Sequence, residues 1–232
     1  MNLAGKVVAI TGAFGTLGAA IAQAAAGRGA KVALIDRAQA PATLRRSLPG
    51  ALMLGDIDLT TPDAAAAALE RVTAQYGGLD ALVNAAGGFR WETLADGSLD
   101  TWEFLFNINA RTAVAACKAA LPHLIARGSG RIVNVGASAA TRAAAGMGAY
   151  AASKAAVARL TESLAEELKD YGITVNAVLP TLIDTPQNRR EMPDADFSRW
   201  VPPAAIAEVI LFLISDAASA VNGALIPVSG RT

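Results

Sequence analysis

The chain has one cysteine, one histidine, no net charge and no long unbroken apolar run, and each scarcity excludes something. With Cys117 alone no intrachain disulfide can form, so a reducing compartment is its natural home. Cys117 sits in the Ala-rich stretch "TAVAACKAAL" with no histidine beside it, which reads as a small buried residue rather than a nucleophile. Any metal centre or Ser-His-Asp triad would depend on the single histidine, His123, which argues against both. Twenty Lys and Arg balance twenty Asp and Glu with no run of either sign, so nothing points to nucleic acid, an anionic membrane surface or a polyionic substrate. The most apolar late stretch, "AAIAEVILFLI" at 204–214, is interrupted by Glu208 and too short to span a bilayer. The opening "MNLAGKVVAITG" has no charged segment followed by a long apolar run and a small-residue cleavage site, so a cytoplasmic protein is expected.

What is present is an alternation. Of 232 residues, 53% are hydrophobic and 17% charged, which fits one α/β domain over 1–232. Short β-branched runs at 6–11, 31–35, 51–55, 79–84, 130–136, 173–179 and 224–229 read as strands. Helical patterns lie near 16–28, 39–47, 62–75, 99–126, 149–170 and 203–215. Apolar strands alternating with helices predict a parallel, doubly wound sheet covered on both faces, with its ligand crevice at the carboxyl ends of the strands. The polar segment 181–202 follows the sixth strand and should overhang that crevice as a substrate loop.

"AITGAFGTLGAAIAQAAAGRGAKVALID" combines a strand, a turn with Gly12, Gly15 and Gly18, a helix and a second strand ending in Asp36. Glycine permits the tight turn and a close backbone approach to a pyrophosphate, whose charge the helix N-terminus favours. Asp36 stands where a carboxylate accepts hydrogen bonds from the adenine-ribose hydroxyls and repels a 2′-phosphate. NAD is therefore preferred over NADP, with the neighbouring Arg37 partly offsetting that preference.

Over essentially its whole length the chain resembles the short-chain dehydrogenase/reductases. The resemblance rests on "TGAFGTLG", "DLT" at 58–60, "NAAG" at 84–87, "NINA" around Asn109, "YAASK" at 150–154 and "VNAVLPTLIDT". It implies a Rossmann-type sheet of seven mostly parallel strands in the order 3-2-1-4-5-6-7, and a homodimer or homotetramer paired through the long helices. It assigns Phe14, Thr16 and Leu17 to the cofactor turn with the three glycines, and Asp58 and Leu59 to the adenine ring. Asn84, Ala85, Ala86 and Gly87 would support the sheet centre and the adenosine, and Pro180, Ile183 and Thr185 the nicotinamide end. The glycines follow TGxxGxxG; another form of the turn places the middle glycine where this chain has Thr16, and the glycine usual after Pro180 is Thr181. Residues 176–200, with "AAGG" and the final "GRT", resemble the dihydropteridine reductase branch, which reduces quinonoid dihydropterins with NADH.

Tyr150 and Lys154, four residues apart, share one helix face. A phenol is a weak acid at neutral pH, and a nearby ammonium is expected to lower its pKa toward the useful range. Tyr150 would then pass a proton to the group being reduced, while Lys154 holds the nicotinamide ribose. In most relatives a serine stands where this chain has Ala137. Ser138 fills that role only if the intervening loop is one residue shorter; in the dihydropteridine reductase branch no serine does. Asn109 would bend its helix and hold a water that relays protons from Lys154. In the substrate loop, Asn188, Arg189 and Arg190 offer polar contacts and Met192, Phe197 and Trp200 apolar cover, with Trp91 facing the same crevice; alternatively the loop packs on itself. Three functions stay in view: a reductase of small carbonyl or quinonoid substrates, a generic ketone or 3-oxoacyl reductase, and a non-catalytic dinucleotide sensor. Sensors on this fold usually lose the Tyr–Lys pair that this chain keeps.

Overall fold

A computed structural model describes residues 1–231. Seven strands form one parallel sheet: β1 (Val7–Thr11), β2 (Lys31–Ile35), β3 (Leu52–Leu54), β4 (Ala81–Asn84), β5 (Gly130–Val135), β6 (Ile173–Pro180) and β7 (Leu225–Val228), in the order β3-β2-β1-β4-β5-β6-β7. The register pairs Val8 with Ala81 and Thr11 with Asn84, so β1 and β4 finish together at the point where the strand order reverses. All five residues of β1 are buried, as a sheet covered on both faces requires.

The helices are α1 (Thr16–Ala26), α2 (Ala42–Ser47), α3 (Pro62–Tyr76), α4 (Leu99–Leu105), α5 (Thr112–Arg127), α6 (Gly148–Leu168), α7 (Pro186–Glu191) and α8 (Pro203–Ile214), and the sheet is covered on both faces. Ile21 and Ala25 of α1 and Ile206 and Ile210 of α8 pack with Val8 and Ile10 on one face. Leu69 of α3, Ala116 and Leu124 of α5 and Leu164 of α6 pack with Val7 and Ala9 on the other. Alternate residues of β1 therefore feed two separate cores. No helix among the described residues is long and apolar enough to cross a membrane.

Two expectations need correction. The helix predicted near 99–126 is two helices joined by a π-helical segment, Phe106–Arg111. Wider π turns put the helix out of step, and Asn109, within this one, bonds through its amide outside its own helix. The 181–202 segment carries α7 and a 3₁₀ turn, Phe197–Arg199, where the sequence reads as irregular. Thr185 caps α7 by accepting from the Asn188 N–H, and Pro186 opens it with a preset φ.

A buried polar chain crosses the sheet beneath the crevice. Asn84 Nδ2 donates to Asn134 Oδ1 at 2.9 Å, Asn134 Nδ2 donates to Thr161 Oγ1 at 2.9 Å, and the Thr161 hydroxyl donates to Val157 O at 2.8 Å. It ties β4 and β5 to α6, the helix that carries Tyr150 and Lys154. Replacing Asn134 with leucine strands one buried N–H of Asn84, whose amide keeps only the Cys117 sulfur, and a lone pair of Thr161. Urea unfolding should show a loss of about 3 kcal/mol; a loss under about 1 kcal/mol would mean the chain is not a structural tie.

Candidate active site

At the end of β1 the glycines do different jobs. Gly12 has φ +61°, and a Cβ there would lie 2.6 Å from Ala86 Cα. A Cβ at Gly18 would lie 2.3 Å from Gly12 O, so bare glycine lets α1 close on the turn. At Gly15 the nearest atom is Gly12 O at 3.4 Å, an ordinary contact. Protein packing does not demand glycine there; the cavity outside does. Gly15 precedes α1 with no side-chain cap, and the first turn holds no acidic residue, so its N–H groups are left for an anion.

This turn floors a cavity of about 550 Å³. Gly12, Phe14, Gly15, Thr16, Leu17 and Gly18 line it from the turn, Asp36 and Arg37 from the end of β2, and Asp58 and Leu59 from beyond β3. Ala85, Ala86 and Gly87 line it after β4, and Thr185 from the substrate loop. One Asp36 oxygen accepts from the Phe14 N–H at 2.9 Å and the other from the Ala38 N–H at 3.0 Å, which fixes the carboxylate at the rim. Asp58 is held below the usual carboxylate range chiefly by the Thr60 hydroxyl and N–H, with a smaller contribution from Arg37. The shape, bare backbone and anion-ready helix end fit a dinucleotide. Asn84, Pro180 and Ile183 do not line the cavity: Asn84 and Pro180 are buried in the sheet, and Ile183 packs on the core.

The cavity runs from Asp36 to Gly87, and a Cβ on Gly87 would come within 3.2 Å of Lys154 Nζ and 2.7 Å of Asn109 Oδ1. Lys154 is 5% exposed and donates to Val135 O at 2.9 Å, at the carboxyl end of β5. Burial pulls its pKa down to about 8. Burial also pushes the Tyr150 phenol up to about 12, opposite to the lowering expected from a neighbouring ammonium. Burial of the phenol is the cause, and the Lys154 ammonium hydrogen-bonds the β5 carbonyl rather than the phenol. Tyr150 therefore stays protonated across the neutral range, the state of a proton donor.

Asn109 is part of this cluster. Its Oδ1 accepts from the Gly88 N–H at 2.9 Å, and its Nδ2 donates to Gly88 O at 3.0 Å and Ser153 Oγ at 2.9 Å. Ser153, fully buried, donates in turn to Tyr150 O at 2.7 Å. Sequence reasoning missed Ser153; its three-residue spacing from Tyr150 was the available signal. It also missed Ile108, Thr112 and Gln187, which line the cavity from the π segment, α5 and α7.

Ser138 is not joined to this group. Its hydroxyl bonds to no described residue, and its carbonyl accepts from the Thr141 N–H and hydroxyl. Tyr150 instead packs against buried Ala137, Ala139 and Ala151. The substrate loop largely satisfies itself. Arg189 makes a two-pronged ion pair with Asp184 at 2.6 and 2.7 Å and lies 4.7 Å over the Phe197 ring, which meets buried Trp200 edge-on. Asn188 Nδ2 donates to Ile183 O. Arg190 stays exposed and Met192 half-buried. Cys117 is buried, with its thiol pushed up to about 12 by burial, so it is no nucleophile.

Residues 6–196 match the family model for short chain dehydrogenase. The chain belongs to that family and is an NAD(P)-dependent oxidoreductase. It is 34% identical to 3-oxoacyl-(acyl-carrier-protein) reductase FabG of Vibrio cholerae, over 99% of this chain and 98% of that protein. It is 38% identical to cis-4-hydroxycyclohexanecarboxylate dehydrogenase of Sinomonas cyclohexanicum, over 97% and 95%. Among solved structures, NAD⁺-bound xylitol dehydrogenase superposes with a TM-score of 0.89 at 28% identity, covering 99% of this chain and all of that one.

Glycine substitutions separate folding from binding. Gly15→Val should leave the melting temperature within a few degrees and weaken dinucleotide binding at least about tenfold, because its branched side chain fills the groove. Gly18→Ala should cost about 2 kcal/mol of stability by overpacking the turn. Calorimetric binding and thermal melts check both; equal effects from the two changes would contradict the division.

Proposed function

We propose that the protein interconverts a secondary alcohol and a ketone on a small substrate, with NAD(H) preferred. The observation that carries this is that Gly87, which lines the dinucleotide cavity, lies against Lys154, one helical turn along α6 from Tyr150. A bound nicotinamide would accept or deliver the hydride. Tyr150 gives its phenolic proton to the carbonyl oxygen during reduction and takes one back during oxidation. Lys154 holds the nicotinamide ribose and refills the proton, and Asn109, through Ser153, keeps the Tyr150 turn in place. Catalytic roles thus fall to Tyr150 and Lys154, with Asn109 a positioning residue and Ser138 outside the reacting group.

The names of the two relatives point to the same chemistry, a 3-oxo group in one and a ring hydroxyl in the other. The Asp36 carboxylate at the adenosine end supports NAD over NADP, since a 2′-phosphate would be repelled. Exposed Trp102 and Phe106, with Val114 on α5, support a homodimer or homotetramer built on these helices. A second reading, reduction of a quinonoid dihydropterin, is supported by residues 176–200 and by a Tyr150 phenol with no hydrogen bond to Ser138.

Tyr150→Phe should lower kcat at least about a hundredfold in either direction. Dinucleotide affinity should stay within about twofold, because the hydroxyl alone is lost. Turnover with NADH and NADPH against ketones, 3-oxoacyl thioesters and a quinonoid dihydropterin checks the substrate class. Unchanged turnover in Tyr150→Phe removes the tyrosine from the mechanism, and turnover of the pterin alone replaces the first reading with the second.

A further inference from the structure

Two large aromatic side chains in the segment after β4, one of them against Tyr150, are left half in solvent although both are held in place. Phe89 is 51% exposed, and its ring meets that of Tyr150 at a centroid distance of 4.9 Å and an interplanar angle of 85°. Its backbone is fixed one residue earlier, where the Asn109 amide bonds both the N–H and the carbonyl of Gly88. Trp91 is 59% exposed, and its Nε1–H donates to Ala145 O at 3.0 Å. Its ring lies so close over Gly146, at φ +72°, that a Cβ there would fall 2.1 Å from it. The Glu92 N–H donates to Gly146 O at 2.9 Å, which closes the two loops against each other just ahead of α6.

The residue between the two aromatics is charged but turned elsewhere. Arg90 donates to Thr101 Oγ1 at 3.1 Å and lies 4.6 Å over the Phe104 ring. Phe89 thus presents a half-exposed ring at Tyr150, and Trp91, two residues on, presents a second exposed ring held against Ala145 and Gly146. An exposed apolar surface that is already ordered gains from being covered without the cost of ordering it. Aromatic faces and edges favour planar partners in offset or edge-on contact.

We propose that Phe89 and Trp91 form an aromatic shelf that selects flat, cyclic ketones and alcohols as substrates, with Phe89 in direct contact with the substrate ring. The proposal rests on the reading that a carbonyl is reduced at Tyr150, and it narrows that carbonyl's class. It makes Phe89 a specificity-determining residue.

The test separates the shelf from the chemistry. β-Tetralone and butanone are titrated into the protein saturated with oxidised nicotinamide dinucleotide, where no hydride is available, and reduction by NADH or NADPH is measured separately. The parent protein should bind tetralone more tightly than butanone. Phe89→Ala should weaken tetralone roughly five- to tenfold and butanone less than about twofold, with Phe89→Leu between the two. Equal weakening of both ketones, no change in either, or no tetralone binding by the parent overturns the shelf. Selective binding without reduction keeps the shelf and overturns the carbonyl-reduction reading instead.

Discussion

The site is organised around one buried cation. Lys154 is removed from water and given a single carbonyl, Val135 O, as its hydrogen-bond partner. Burying an ammonium this way is costly, and the cost appears as a pKa lowered to about 8. The folded chain then binds this proton less tightly than the unfolded one. The penalty is present in full below about 8 and is relieved as pH rises toward the usual lysine range. The rest of the site can be understood as what holds this group in place and leaves room in front of it.

The sheet order does the first part. With β4 and β5 side by side, Gly87 and Val135 come to the same edge, and α6 returns over them carrying Tyr150 and Lys154. The π segment does the second, because it turns the Asn109 amide out of its helix toward Gly88 and Ser153. The Asn84–Asn134–Thr161 chain anchors α6 from below. The glycine turn and Asp36 line the cavity at one side, and Gly87, which lies against Lys154, lines it after β4.

Much of this was legible in the sequence, and for physical reasons. Short, β-branched apolar runs such as "KVVAIT" and "KVALI", alternating with longer helical patterns, read as strands buried on both faces, so the sheet and its crevice follow from the alternation. Gly12, Gly18 and Asp36 reflect steric and charge demands that few residues meet. What periodicity cannot register is a shift of one residue in hydrogen bonding, so the π turn inside 99–126 was invisible. Side-chain competition was equally hidden: Arg189 could have faced a ligand, but Asp184 and Phe197 take it. The Tyr150–Lys154 spacing correctly implied a shared helix face, yet the sign of the tyrosine shift depended on burial, which spacing does not report. Ser138 could not be placed from sequence because its fate turned on the backbone path between β5 and the following 3₁₀ turn.

The most direct test of this account is the titration of Lys154 itself. In protein labelled at the lysine side chains, NMR should show one ε-resonance moving with a midpoint near 8, and that resonance should vanish in Lys154→Met. A full set of lysines titrating together near the usual 10.5 would contradict a buried, carbonyl-held ammonium at the centre of the site.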